Sequence, residues 1–199
     1  MGAENVFTAQ TARLWLGPVG TIAPDGPTVA MPEGWYNVGM FTPDSLNWST
    51  DPQFEETRAH QSNFPVKRWQ TEDNATLEVD LLEWTLQSFQ AVYGGGSIEQ
   101  ITPTGGGTPY YKFTPPAIGQ RVEIAACLEL GDGPLRRMRR IIPRAEQAEG
   151  VEQTFEKTSS STLPLRLSVL GSDVGAPYYD VIAQSWAAFA PPATPPAGN

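Results

Sequence analysis

One cysteine and one histidine are all that this 199-residue chain offers to thiol or imidazole chemistry. Cys127 has no second thiol with which to form an internal disulfide, which fits a reducing compartment. A hydrolytic triad would have to be built on His60. Ser49, Thr57 and Ser62 lie near it, but none sits in a nucleophile-elbow pattern, and His60 reads as a solvated loop residue. A zinc site needs three or four ligands at close spacing, so one Cys and one His exclude the familiar types. No apolar run approaches the roughly 18 residues of a membrane span. The opening MGAENVFTAQ has no basic stretch leading into an apolar core, so no secretion signal is expected. Val6 stands where a myristoylation signal requires Ser or Thr.

Basic residues are also scarce. Thirteen Lys and Arg against 22 acids leave a formal charge of −9, the wrong sign for general affinity to phosphate or to an anionic membrane. Carboxylates are plentiful, and Glu55 with Glu56, or Glu78 with Asp80, could be counted as a glycosidase-like pair. On strand faces and loops such acids read as solvated surface. The runs Gly94–Gly96 and Gly105–Gly107 lack the following helix and Lys of a phosphate-binding loop, and act as breakers. Asn47-Trp48-Ser49 and Asn74-Ala75-Thr76 match the glycosylation acceptor pattern by coincidence in a chain without a secretion signal. Neither an enzyme nor a cofactor is expected.

Glycine and proline, nineteen of each, fall between short apolar segments, which suits many short strands. TARLWLGPVG reads as a strand ended by a Gly-Pro break, TIAPDGPTVAMPEGW as a long surface loop, and WYNVGMF as a short strand. In ATLEVDLLEW, Leu77, Val79 and Leu81 alternate with Thr76, Glu78 and Asp80, the period of a strand with one wet face. From Leu82 the period changes: Leu82, Leu86, Phe89 and Tyr93 fall on one side of a short helix, with Gly94 as its left-handed cap. TPTGGGTPYY reads as a flexible loop. QRVEIAACLEL, LRRMRRIIP (ended by Pro143), GVEQTF and LPLRLSVL are further strand candidates, with Cys127 on the second face of the first of them. One domain over residues 1–190 is expected, followed by a Pro-rich end, 191–199, that cannot build a packed core.

Two clusters remain. Five of the thirteen basic residues, Arg136, Arg137, Arg139, Arg140 and Arg144, are packed into nine positions. No stacking aromatics are interleaved with them as nucleic-acid binding would require. Pairing of Arg136, Arg137, Arg139 and Arg140 with acidic surface, within the subunit or across an interface between subunits, is expected instead. The second cluster is WSTDPQFEETRAHQSNFPVKRW, an excursion of about residues 45–75 that holds a regular period for no great length. Its first arm carries Asp51, Glu55 and Glu56; its second carries Lys67 and Arg68. Folded back as a hairpin, it would oppose these charges and project Trp48, Phe54, Phe64 and Trp69. Exposed together, those aromatics would mark a binding surface.

From VGMFTPDSLNWS through the excursion, where QSNFPVKR supplies Gln61, Pro65, Val66 and Lys67, to ATLEVDLLEWTLQSFQAVYGGG, the order of features resembles the major tail (tail tube) proteins of long-tailed bacteriophages, particularly those of actinobacterial hosts. The resemblance covers residues 35–96 and implies a mainly β fold: a β-sandwich or half-barrel with one flanking short α-helix and a long extended loop. It implies a structural virion protein, assembled in the bacterial cytoplasm, whose six copies close a ring. The rings stack into a tube through which DNA passes without specific binding. The implied partners are further copies of the chain and the tape measure, terminator and distal tail proteins. The excursion would then be the stacking loop. A contrasting expectation from composition is a monomeric β-sandwich carbohydrate-binding module, in which surface aromatics stack on sugar rings.

Overall fold

The alternation in ATLEVDL is realised in full: Ala75, Leu77, Val79 and Leu81 are buried while Thr76, Glu78 and Asp80 turn outward. In the computed structural model, which describes residues 6–173 and 175–186, this segment ends a 17-residue strand, β4 (Pro65–Leu81). Its pairing partner over residues 76–81 is β9 (Leu163–Val169), whose Leu163, Leu165 and Leu167 are fully buried and face Leu81, Val79 and Leu77 in register. Against this pair pack Leu14 and Leu16 of β1 (Thr11–Pro18) and Ala126 and Leu128 of β7 (Ile124–Asp132). Ile142 and Ala145 of β8 (Arg136–Gln147) complete the same cluster.

The chain is mainly β, as expected, with strand order β2-β1-β7-β8-β9-β4-β3 in one antiparallel sheet, where β2 is Tyr36–Asn37 and β3 is Asn47–Arg58. Strand β8 joins the two halves. Along one side it pairs with β7; along the other, Met138–Ile141 pair with β10 (Tyr179–Ile182) and Ala145–Gln147 pair with β9. The handover falls at Pro143, which with Arg144 forms a bulge on β8 opposite the single residue Ala125 of β7. A proline has no N–H for a ladder, and a bulge is where a sheet tolerates it. Pro143 therefore bends the strand without ending it, contrary to the sequence expectation.

The flanking helix α1 (Leu86–Val92) is shorter than the hydrophobic spacing indicates. Leu82 stays outside it because its N–H bonds the Met40 carbonyl, holding it in the sheet margin. Thr85 then caps the helix by accepting from the Ser88 N–H. Ser88, Ala91 and Val92 form the buried face, not the line of Leu82, Leu86, Phe89 and Tyr93. At the other end, Gly94 takes φ +70°, and the N–H groups of Gly94 and Gly95 return to Ala91 and Gln90, the paired bonds of a glycine-terminated helix.

Four other expectations are corrected. TPTGGGTPYY is not all loop: Tyr110–Thr114 forms β6 and pairs with β5 (Ser97–Ile101) in a separate hairpin. GVEQTF forms no strand, and β7 begins at Ile124, leaving Val122 exposed. The excursion is regular over nearly its whole length, β3 and β4 pairing from Asn47 with Glu78 to Arg58 with Pro65. The Pro-rich end, 191–199, lies outside the described residues. Because Leu165 is fully enclosed by the core cluster, Leu165→Ala is expected to lower stability by about 2–5 kcal/mol. Urea unfolding monitored by circular dichroism checks this.

Candidate assembly surface

Only the root of the β3–β4 hairpin is supported by the body of the protein. Strand β9 pairs with β4 from Thr76 onward, so the portion of β4 before it has β3 as its sole partner among the described residues. Among the described residues the outer edge of β3 is unpaired there as well. Residues from Ser49 to Asn74 form a two-stranded arm with two open backbone edges, and almost every side chain along it is exposed.

Cross-strand charges hold the arm together. Glu56 sits opposite Arg68 and accepts from its Nε at 2.8 Å, while Arg58 reaches the other oxygen at 3.0 Å. The two guanidinium groups, Arg68 foremost, hold the Glu56 carboxyl below its ordinary range. Arg68 also covers the Phe54 ring at 5.9 Å. At the tip, Ser62 Oγ donates to the Phe64 carbonyl and accepts from the Phe64 N–H, closing the turn. His60 is exposed there.

A bulge between Gln53 and Phe54 decides which side chains share a face. Phe54 lies with Glu56 and Arg68, whereas Trp69 lies opposite Glu55 on the other face, with Thr57 and Lys67. Phe54, Phe64, Val66 and Trp69 are 52%, 79%, 63% and 39% exposed, so apolar surface emerges on both faces and at the tip. Trp48 differs from the expectation that it projects. It is half-buried at the root, edge-on to Tyr178 at 4.8 Å and beneath the Arg140 guanidinium at 4.3 Å. Asp51 remains exposed near the root.

The arginines of β8 are engaged by carboxylates of their own chain. Arg139 is buried, forks onto Glu129 at 2.7 and 3.0 Å, and donates to the Gly26 carbonyl of the covering loop. Arg137 approaches the other Glu129 oxygen at 3.9 Å. Arg136 pairs with Asp132 at 3.1 Å, and Arg140 makes two 2.8 Å bonds to Asp180 of β10. Arg144 binds Glu123 through two bonds and holds that carboxyl below its usual range. Sequence reasoning missed Tyr178 and Asp180 as the clamp on Trp48. No local signal marks them, because they lie about 130 positions away and only the β8–β10 pairing brings them close.

Among the described residues, no group of three His, Cys, Asp or Glu could hold a metal ion, and no helix is long and apolar enough to cross a membrane. Cys127 is enclosed, and burial pushes its thiol up to about 12. Two outcomes are expected. Arg139→Ala leaves Glu129 buried without its main partner and lowers stability by about 3–5 kcal/mol, read from denaturant midpoints. Cys127 resists a disulfide reagent at pH 8 in the native protein and reacts on unfolding, followed by thiol release.

A family model described as phage tail tube protein matches residues 1–194. No curated protein matches the chain.

Proposed function

The chain belongs to the phage tail tube protein family, a structural component of the virion tail, and from that premise we propose that its copies close into rings of six which stack into the tube that delivers DNA. The observation that carries this reading is the arm: a ribbon with two unpaired edges and apolar side chains on both faces. An isolated two-stranded hairpin is at best marginally stable in water. Unpaired edges invite further strands, and a ring of copies supplies them. Phe54, Phe64 and Trp69 are the contacts with the neighbouring ring, assisted by Glu55 and Lys67. Trp48, with Arg140, fixes the angle at which the arm leaves the body.

Charge placement supports the role in DNA passage. The outward face at the root of the arm presents Asn47, Ser49, Asp51 and Gln53 beside Glu78, Thr76, Asn74 and Glu72, all acids or uncharged polar residues, and the neighbouring cation Arg166 is paired to Asp80 and Glu78. That face is proposed to line the lumen, where negative potential lets phosphate slide past. Arg136, Arg139 and Arg140 of β8 are paired with Asp132, Glu129 and Asp180, which limits the positive charge they present to DNA. Any contribution of Arg136 and Arg137 between subunits comes from their partly exposed sides. Tape measure, terminator and distal tail proteins are the proposed partners at the tube ends.

The sugar-binding alternative fits the arm less well. A stacking platform needs aromatics on one concave face, and here Phe54 and Trp69 point to opposite sides of a thin ribbon.

Replacing Phe54–Thr71 by an Asn-Gly turn joins the paired residues Gln53 and Glu72 while sparing the core. The expected result is a chain with unchanged thermal unfolding that forms no tubes in negative-stain images. Tubes of ordinary length from this variant would overturn the reading.

A further inference from the structure

We propose that the tip of the arm docks on an aromatic, acid-rimmed surface at the far end of β4 in a second copy of this chain. This inference rests on the reading of the arm as the contact between rings and names the surface that receives it.

The receiving surface begins where β4 ends. Trp84, Leu86 and Phe155 are 40%, 39% and 69% exposed, large apolar groups gathered at one end of the molecule. Trp84 is held in place. The Trp84 ring lies 5.5 Å from Phe89 and 6.0 Å from Phe155, and its Nε1–H donates to the Ser161 carbonyl at 3.0 Å. Phe89 in turn contacts Phe113 of the β5–β6 hairpin. A preformed aromatic surface of this kind loses little side-chain freedom when covered, which is what makes aromatics effective interface anchors.

Beside it opens a cleft of about 510 Å³ whose lining includes Asp80, Glu149, Glu152 and Glu156. Its lining cation, Arg166, is already committed to Asp80 at 2.7 Å and Glu78 at 3.9 Å. Lys157 is the other cation in the adjoining segment. The surface therefore combines exposed aromatics with surplus negative charge.

The arm tip is its complement. In a chain of net charge −9, the stretch Arg58–Arg68 contains Arg58, Lys67 and Arg68 and no acid. Glu56 engages both arginines, while Lys67 makes no ion pair among the described residues. Phe64 and Val66 stand beside these cations as the most exposed apolar groups of the arm. An apolar knob ringed by positive charge thus faces an apolar patch bordered by negative charge, the pattern that favours docking in one orientation.

The positions of the two surfaces give the stacking rule. Pro65 at the tip begins β4, and Leu81, just before Trp84, ends it. Tip and patch are thus separated along one strand by roughly 50 Å, at about 3.3 Å per residue. Surfaces that differ from one another, placed at opposite ends of a molecule, make a head-to-tail contact. Translation along β4 seats each tip on the next patch and leaves a fresh tip and a fresh patch. Such a contact propagates as an open stack and does not stop at two copies.

The test uses the full chain and exposed residues. Arg58→Glu with Lys67→Glu reverses the tip; Glu152→Lys with Glu156→Lys reverses the patch; Phe155→Ala removes an aromatic without changing charge. Each variant is expected to unfold at the wild-type temperature and to need at least a tenfold higher protein concentration for tube growth, measured by sedimentation and negative-stain imaging. Both reversals combined in one chain are expected to restore growth. The inference is overturned if the patch variants, including Phe155→Ala, polymerise normally, or if the combined reversals fail to rescue each other. Normal growth of the patch variants together with failure of the arm-truncated chain would leave the arm as the stacking element with a different landing site. Normal growth of the arm-truncated chain would instead remove the reading beneath it.

Discussion

A β-ribbon cannot satisfy its own edges. In this protein the strands β3 and β4 continue well past the point where β9 stops covering them, leaving backbone donors and acceptors and three large aromatics in water. Elsewhere the architecture provides what the arm lacks. The leucines of β4 and β9 interlock with β1 and β7, and β8 ties the two halves together by changing partners at Pro143. One strand, β4, is thus both core and extension. The Arg140–Trp48–Tyr178 stack sits where one becomes the other, so the direction of the arm is set by the folded body.

Charge follows the same division. Cations close to the core are paired where they stand: Arg139 with Glu129 in a buried fork, Arg140 with Asp180, and Arg166 with Asp80. Pairing of this kind limits the cost of bringing guanidinium groups out of water. The positive charge of Lys67 is left at the arm tip, and acids are left at the opposite end of β4 and along the outward face of the root. The proposed assembly of this tail tube protein would use this polarity, because stacking would require unlike ends and a DNA conduit a wall that does not bind phosphate.

How much of this was legible depended on whether a residue's environment is set locally. The strands at ATLEVDL and LPLRLSVL could be read because each has one dry face, so hydrophobicity alternates with the pleat. The arm hid its strand character for the opposite reason: both of its faces are wet, and nothing in its side chains records the period. Strand β6 is obscured by the glycines that precede it, and Pro143 reads as a terminator because the bulge that accommodates it shows only in the register of β8 against β7. The arginine cluster signals a need for acids, but Asp180 and Glu129 cannot be named without the pairing of β8 to β10 and β7. Trp48 was grouped with the projecting aromatics because its partners come from distant sequence.

Amide hydrogen exchange on residues 54–71, compared between dispersed subunits and assembled tubes, tests most directly whether this segment is completed by other copies. Locally open backbone exchanges fast, and docking or strand pairing slows it. The account predicts rapid exchange in dispersed protein and strong protection in tubes, with core amides of β4 and β9 protected in both. Equal exchange of the arm in the two states would contradict it.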